Sequence, residues 1–315
     1  MTSISTNVQV EKMKFHLYEH PWLSLLAVIM TIILSNVLSA ILIFGVIRFS
    51  RESATGQFAM GVLYQILTVF VFVPFVLRLP NGTKKFRQYL NDIGLSNVQP
   101  FIKLLLLALS CYLILVLSQA AASFVYRFLE GQPINKIFIR QVFDLSGDLN
   151  PDYPSLLISF PSIFEEAVFR GIILTVFQST YSDRNSIIFS ALGFSLMHAL
   201  NLVNGADLVW TLGQVVWTFI IGLFYGYVFV RTKSLLPSMI VHYLGNAFIG
   251  SLTGYIQTRA SIEIQVLYGV IFSLGVVPTT LMMLWTRFFA SKWLSGNKNP
   301  GRPQVEKLSS EHPAV

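Results

Sequence analysis

Two carboxylates and a guanidinium stand inside an apolar run. The segment Phe164-Glu165-Glu166-Ala167-Val168-Phe169-Arg170-Gly171 lies within Leu156 to Phe177, a stretch long enough to cross a bilayer. Charge at that depth is costly and is kept where it has a task. Helical geometry divides the three side chains. At ~100° per residue, Arg170 lies ~40° around the helix from Glu166 and ~140° from Glu165, so the i,i+4 ion pair is Glu166 with Arg170. Glu166 and Arg170 are thereby assigned to structural support, holding their helix in register, while Glu165 keeps a free carboxylate for chemistry. Without such a task, all three would only line a hydrated crevice.

Two other apolar segments carry polar pairs at the same i,i+4 spacing: Phe194 with His198, and His242 with Asn246. Each pair shares one helical face. A lone histidine in a membrane helix is often a satisfied core residue bonded to a carbonyl or a serine. Two histidines on separate helices, with an asparagine one turn on and a free glutamate on a third helix, ask for more. A carboxylate near two imidazoles can take a proton from water and return it to a leaving amine, and an imidazole or carboxamide can donate to the oxyanion of a tetrahedral intermediate. That is the chemistry of amide hydrolysis, with Glu165, His198, His242 and Asn246 as the candidate catalytic set. The same Glu165, His198 and His242 can instead be read as a zinc set with an open position for water. The H-E-x-x-H arrangement is absent, since neither His198 nor His242 has a second histidine four residues on.

The elements that must position these residues are membrane helices. A chain of 315 residues that is 54% hydrophobic and 12% charged, with mean hydropathy +0.63, is too apolar for a water-soluble domain. Its apolar runs predict an all-α, polytopic bundle of about eight transmembrane helices. These are Pro21 to Val46, Met60 to Leu79, Phe101 to Phe124, Pro154 to Phe177, Asn185 to Ala199, Leu208 to Val230, Leu235 to Leu252 and Ile264 to Phe289. In this scheme Glu165 lies about 11 residues from the outer start of its helix, His198 about 13 from an inner start, and His242 and Asn246 about 7 to 11 from theirs. At ~1.5 Å per residue all fall in one band around the bilayer middle.

With the N-terminus inside, fifteen Lys and Arg residues fall in inner segments, against six (Arg48, Arg51, Arg127, Lys136, Arg140 and Arg259) in outer ones. The positive-inside bias therefore predicts cytosolic termini, and the net charge of +7 largely reflects it. The inner basic segments face anionic lipid, and no basic stripe with interleaved aromatics suggests nucleic acid. The first apolar run is longer than a signal core, follows about 20 polar residues and lacks a small-x-small exit before Arg48, so it is expected to remain as a helix. Cys111 is the only cysteine and sits in an apolar span, which leaves no disulfide framework and no cysteine-based zinc cluster. No fixed-period repeat or matched pair of broken helices supports an inverted-repeat transporter. The expected organisation is scaffold helices and an outer loop over 1–153, a four-helix catalytic core over 154–253, a further transmembrane helix over 254–294, and a disordered polar tail over 295–315. The outer loop from Glu130 to Tyr153 is placed to shape access to the core.

Taken in order, E-E-x-x-x-R as Glu165-Glu166-Arg170, F-x-x-x-H as Phe194-His198 and H-x-x-x-N as His242-Asn246, the three motifs resemble those of the intramembrane CPBP proteases. That family includes the CAAX prenyl endopeptidases and the bacteriocin-processing or immunity proteins called Abi. The resemblance covers roughly Pro154 to Ser251, and no motif position departs from the pattern. It implies an intramembrane endopeptidase, with Glu165 as the general base activating water, His198 assisting, and His242 and Asn246 stabilising the oxyanion or positioning the carbonyl. Glu166 and Arg170 would support the site. It also implies a membrane protein or peptide substrate, CAAX-type or bacteriocin-related processing, and residence in the plasma membrane of a bacterium. Members are often named metalloproteases, so zinc stays open as a cofactor. The rival reading is a non-catalytic membrane protein, either a proton-coupled carrier using Glu and His as a relay or an immunity protein acting by binding. A scaffold whose polar residues only glue helices together is the third.

Overall fold

The computed structural model describes residues 17–77, 83–144, 146, 156, 159–203 and 205–294. Among them the protein is helical, with no strand. Six of the described helices are long and apolar enough to cross a membrane: α1 Pro21–Val46, α2 Ala54–Val76, α4 Phe101–Leu129, α7 Asp183–Leu202, α8 Leu208–Thr232 and α10 Ile262–Leu294. Of the expected eight or so, six meet that criterion among the described residues. The two that fall short carry most of the candidate site. One is α6, in which Pro161–Glu166, Ala167–Ile173 and Leu174–Gln178 follow without a break; it holds Glu165, Glu166 and Arg170. The other is α9, Leu236–Gln257, which holds His242 and Asn246. The polar side chains that give these helices their chemistry are also what lower their hydropathy.

Two further helices are short. α3, Thr83–Asp92, is amphipathic and seals one end of the bundle: the Tyr89 hydroxyl donates to the Val69 carbonyl at 2.8 Å, and Leu235 N–H donates to the Gly94 carbonyl at 3.2 Å. α5, Lys136–Val142, lies in the expected outer loop and buries Phe138 against Tyr255 and Phe124. The loop's residues 145 and 147–153, and the polar tail 295–315, lie outside the described residues.

Starts are set by local chemistry. Pro21, Pro161 and Pro237 occupy first turns, where a missing N–H costs nothing. Ser53, Ser182 and Asp207 cap α2, α7 and α8 by accepting from Gly56, Asn185 and Trp210 N–H, which satisfies otherwise orphaned donors. The expected start of α6 at Pro154 lies outside the described residues. The described helix opens at Pro161 and carries Glu165 just past its first turn.

The first helix packs through its small and polar residues. α1 buries Ser24, Val28, Thr31, Ser35 and Ser39 on one face and exposes Leu23, Leu26, Met30 and Leu34. In lipid there is no hydrophobic gain from hiding leucine, so helices meet through small residues that permit close approach. One apolar cluster joins α1, α2, α3, α6 and α7 through Val28, Val73, Tyr89, Phe169 and Phe194. Another joins α4, α8, α9 and α10 through Leu107, Leu115, Phe224, Val241 and Met282. Glu166 and Arg170 of α6 meet His242 of α9, one helix from each cluster.

Candidate active site

The Glu166–Arg170 pair forms as the helix geometry requires. Arg170 Nη1 stands 3.1 Å from Glu166 Oε1, and both side chains are wholly buried. Arg170 sits within a stretch of wide, π-type turns in α6, Ala167–Ile173, a distortion frequent at functional sites. The guanidinium lies 4.3 Å from the centroid of Phe194 and 5.1 Å from that of Tyr225. The close ionic contact is not aligned as a hydrogen bond, and no described residue accepts from the guanidinium. Its charge is therefore held by one carboxylate and two ring faces, each desolvated cation–π contact contributing about 2 kcal/mol.

Glu166 has a second partner. His242 Nδ1 lies 2.9 Å from the same Oε1, and because a carboxylate accepts, Nδ1 carries the proton. This orients the His242 ring, which Tyr225 stacks at 5.0 Å and 20° and Phe194 meets edge-on at 5.7 Å. Nε2 is thereby aimed toward Glu165 Oε2, 3.7 Å away, a contact too long for a hydrogen bond and one that becomes a bond only with a proton on Nε2 or on the carboxyl. The result is a file of polar groups, Glu165, His242, Glu166, Arg170, crossing from α6 to α9 and back and hydrogen-bonded between His242 and Glu166.

At the open end of this file stands Glu165, its side chain 35% exposed. It lines a cavity of about 190 Å³ with His198 of α7, bordered also by Tyr64, Gln65, Phe194 and Asn201. His198 Nδ1 is 3.1 Å from the Phe194 carbonyl. A carbonyl only accepts, so Nδ1 again carries the proton, and in the neutral ring Nε2 is a lone pair. The cavity thus presents two basic groups from two helices. The Phe194 ring accounts for its place in the F-x-x-x-H pattern, packing on His198, His242 and Arg170, while the backbone carbonyl at this position fixes the tautomer of His198.

Residues 155–248 match the family described as Type II CAAX prenyl endopeptidase Rce1-like. No curated protein and no solved structure matches the chain. The matched segment runs from α6 into α9, the helices that bear all three motifs, and holds the buried Glu166 and His242 clustered with Glu165. Family match and cluster together support an intramembrane protease.

Within the Rce1-like segment, the structure brings Glu165, Glu166, Arg170 and His242 together and sets His198 beside Glu165 in the cavity. Asn246 is one turn beyond His242 on α9, is exposed, and does not line that cavity. Among the described residues no three His, Cys, Asp or Glu side chains gather as a metal-ligand set.

Sequence reasoning gave Glu166 one partner where it has two. It missed Tyr225, whose only mark is its place inside Gly222-x-x-x-Gly226. That small-residue signal was legible. A Cβ on Gly222 would come within 3.1 Å of Ala191 Cβ and 3.2 Å of Arg170 Nη2, and one on Gly226 within 3.1 Å of Ile187. The two glycines let α8 approach α6 and α7 closely enough to press Tyr225 on His242.

Proposed function

We propose that the protein is an intramembrane endopeptidase in which Glu165 activates water and His198 helps to hold it. The observation that carries this reading is that a partly exposed carboxylate and an imidazole with its lone pair at Nε2 wall one cavity from two helices. Water bound there donates one hydrogen to Glu165 and the other to His198 Nε2. As its oxygen attacks the carbonyl carbon of a peptide bond, Glu165 takes the proton, and it returns it to the leaving nitrogen when the C–N bond breaks. His242, oriented by Glu166, lies beside Glu165 to stabilise its changing charge. Asn246, one turn beyond His242 on α9, is the side-chain donor we propose for the carbonyl oxygen as substrate enters; His242, whose Nδ1 proton is held by Glu166, joins it only with a second proton on Nε2. Zinc held by Glu165, His198 and His242 would need those side chains to draw together, so no step runs through it.

The substrate we propose is a membrane protein or membrane-bound peptide. The family's name attaches prenylated CAAX sequences to its members; CAAX-type or bacteriocin-related processing is the corresponding proposal for this chain. With α6 and α9 added to the six apolar helices, about eight segments cross the bilayer. From the basic-residue bias we propose that both termini are cytosolic, and we propose the plasma membrane of a bacterium as the location.

The test compares peptide cleavage by purified wild type and Glu165→Gln in detergent, with and without a chelator. Removing a general base should lower turnover roughly a hundredfold or more while the protein stays folded. Wild-type rates in Glu165→Gln would sink the assignment, and loss of activity with chelator, restored by zinc, would replace the metal-free scheme. A proton-coupled carrier is disfavoured because the polar file ends at Arg170, which is fully buried. Proton flux in liposomes that depends on Glu165, without peptide cleavage, would reverse that preference.

A further inference from the structure

The cavity that holds Glu165 and His198 is completed from α2, outside the family-matched segment. Tyr64 and Gln65 both border it. Gln65 Nε2 donates to the Tyr64 hydroxyl oxygen at 2.9 Å, so the tyrosine's own O–H is left to donate elsewhere. Gln65 is only 3% exposed, yet its Oε1 has no hydrogen-bond partner. A buried carbonyl oxygen without a donor is costly and uncommon. Just beyond the pair, α2 opens into wide π-type turns at Leu67–Phe72, as α6 does just beyond Glu165 and Glu166. Tyr64 also borders a larger groove of about 860 Å³ between α1 and α2, so it stands where the small cavity meets the larger opening.

An O–H donor beside a carbonyl acceptor is the complement of a peptide unit, which offers a C=O and an N–H. Either orientation of the Gln65 amide leaves one donor and one acceptor in the pair. We infer that Tyr64 and Gln65 bind the scissile peptide unit, Tyr64 donating to its carbonyl oxygen and Gln65 Oε1 accepting from its N–H. The inference rests on the endopeptidase reading and extends the active site to a helix that the family match leaves out. Tyr64 then contributes to oxyanion stabilisation along with Asn246 of α9. Gln65 sets the orientation of the bond before attack, and substrate binding satisfies its orphaned oxygen.

The experiment uses the full chain in detergent and a set of internally quenched apolar decapeptides, with the cleaved bond located by mass spectrometry. That amide is then replaced by an ester, which keeps the C=O and lacks the N–H. Tyr64→Phe should lower kcat on both substrates by roughly a hundredfold, the scale of losing one oxyanion donor. Gln65→Leu should raise KM for the amide roughly tenfold and leave the ester nearly unaffected, and Gln65→Glu, which keeps an acceptor, should restore part of the loss. A merely structural role would weaken both substrates alike. Equal penalties on amide and ester for Gln65→Leu, or wild-type kcat in Tyr64→Phe, would overturn the inference while leaving the protease reading intact if Glu165→Gln is inactive. Absence of cleavage by wild type would overturn both.

Discussion

At the scale of single residues, the site is held by a carboxylate that does two jobs. Glu166 Oε1 serves both Arg170 and His242, while its Oε2 has no partner. A buried ion pair is weak evidence of stability, because desolvating both charges offsets their attraction; removing one partner alone typically costs about 3–5 kcal/mol. Arg170→Met should therefore lower melting temperature and expression by stranding the carboxylate. Glu166→Leu should do so more strongly, because it strands the guanidinium and releases His242. The double variant should regain part of the stability, since an apolar pair replaces an ionic one. It should not regain activity, because His242 Nδ1 still lacks its acceptor. Thermal melts and turnover of the four proteins check this, and purely additive stability losses would show that the two side chains do not interact. The i,i+4 pairing was legible because helix geometry alone fixes it. The His242 contact was not, because it depends on how α9 lies against α6, which no local spacing records.

At the scale of elements, the site depends on how closely three helices approach. Gly222 leaves the space that the Arg170 guanidinium fills, and any side chain there must push either Arg170 or Ala191 of α7. Gly222→Val should separate α8 from α7, displace Tyr225 from the His242 ring, and lower both melting temperature and turnover. Gly254, on α9, has open space where a Cβ would sit, with no atom within 4 Å. Gly254→Ala should therefore leave activity intact and match or raise the melting temperature, as the helix gains propensity of roughly 0.5–1 kcal/mol. Equal effects of the two substitutions would refute the packing role. Apolar runs made the helices readable: α1 begins and ends where its hydropathy does, at Pro21 and Val46. The π-type turns at Leu67–Phe72 and Ala167–Ile173 left no such mark. They shift the faces that the regular ~100° step would assign.

At the scale of the whole molecule, the bundle places its buried charges between one helix of each apolar cluster and turns its leucines toward lipid. The catalytic half was legible because a membrane chain rarely keeps Glu and His inside its helices without a task. The contribution of α2 was not, because Tyr64 and Gln65 are ordinary residues whose meaning comes only from the cavity they border. Orientation was read from charge alone, and the lone cysteine makes it testable. Cys111 is wholly buried and lies 3.8 Å from the Thr286 hydroxyl, so wild type should not react with a membrane-impermeant maleimide and needs no background substitution. Glu52, between α1 and α2, and Gln88, on α3, are both exposed, and the basic-residue bias puts them on opposite sides of the bilayer. Glu52→Cys should label in right-side-out vesicles and Gln88→Cys only in inverted ones. The reverse pattern would turn the protein over while keeping its fold, whereas labelling of both from one side would mean that α2 does not cross the membrane, and the active site could not then be completed from it.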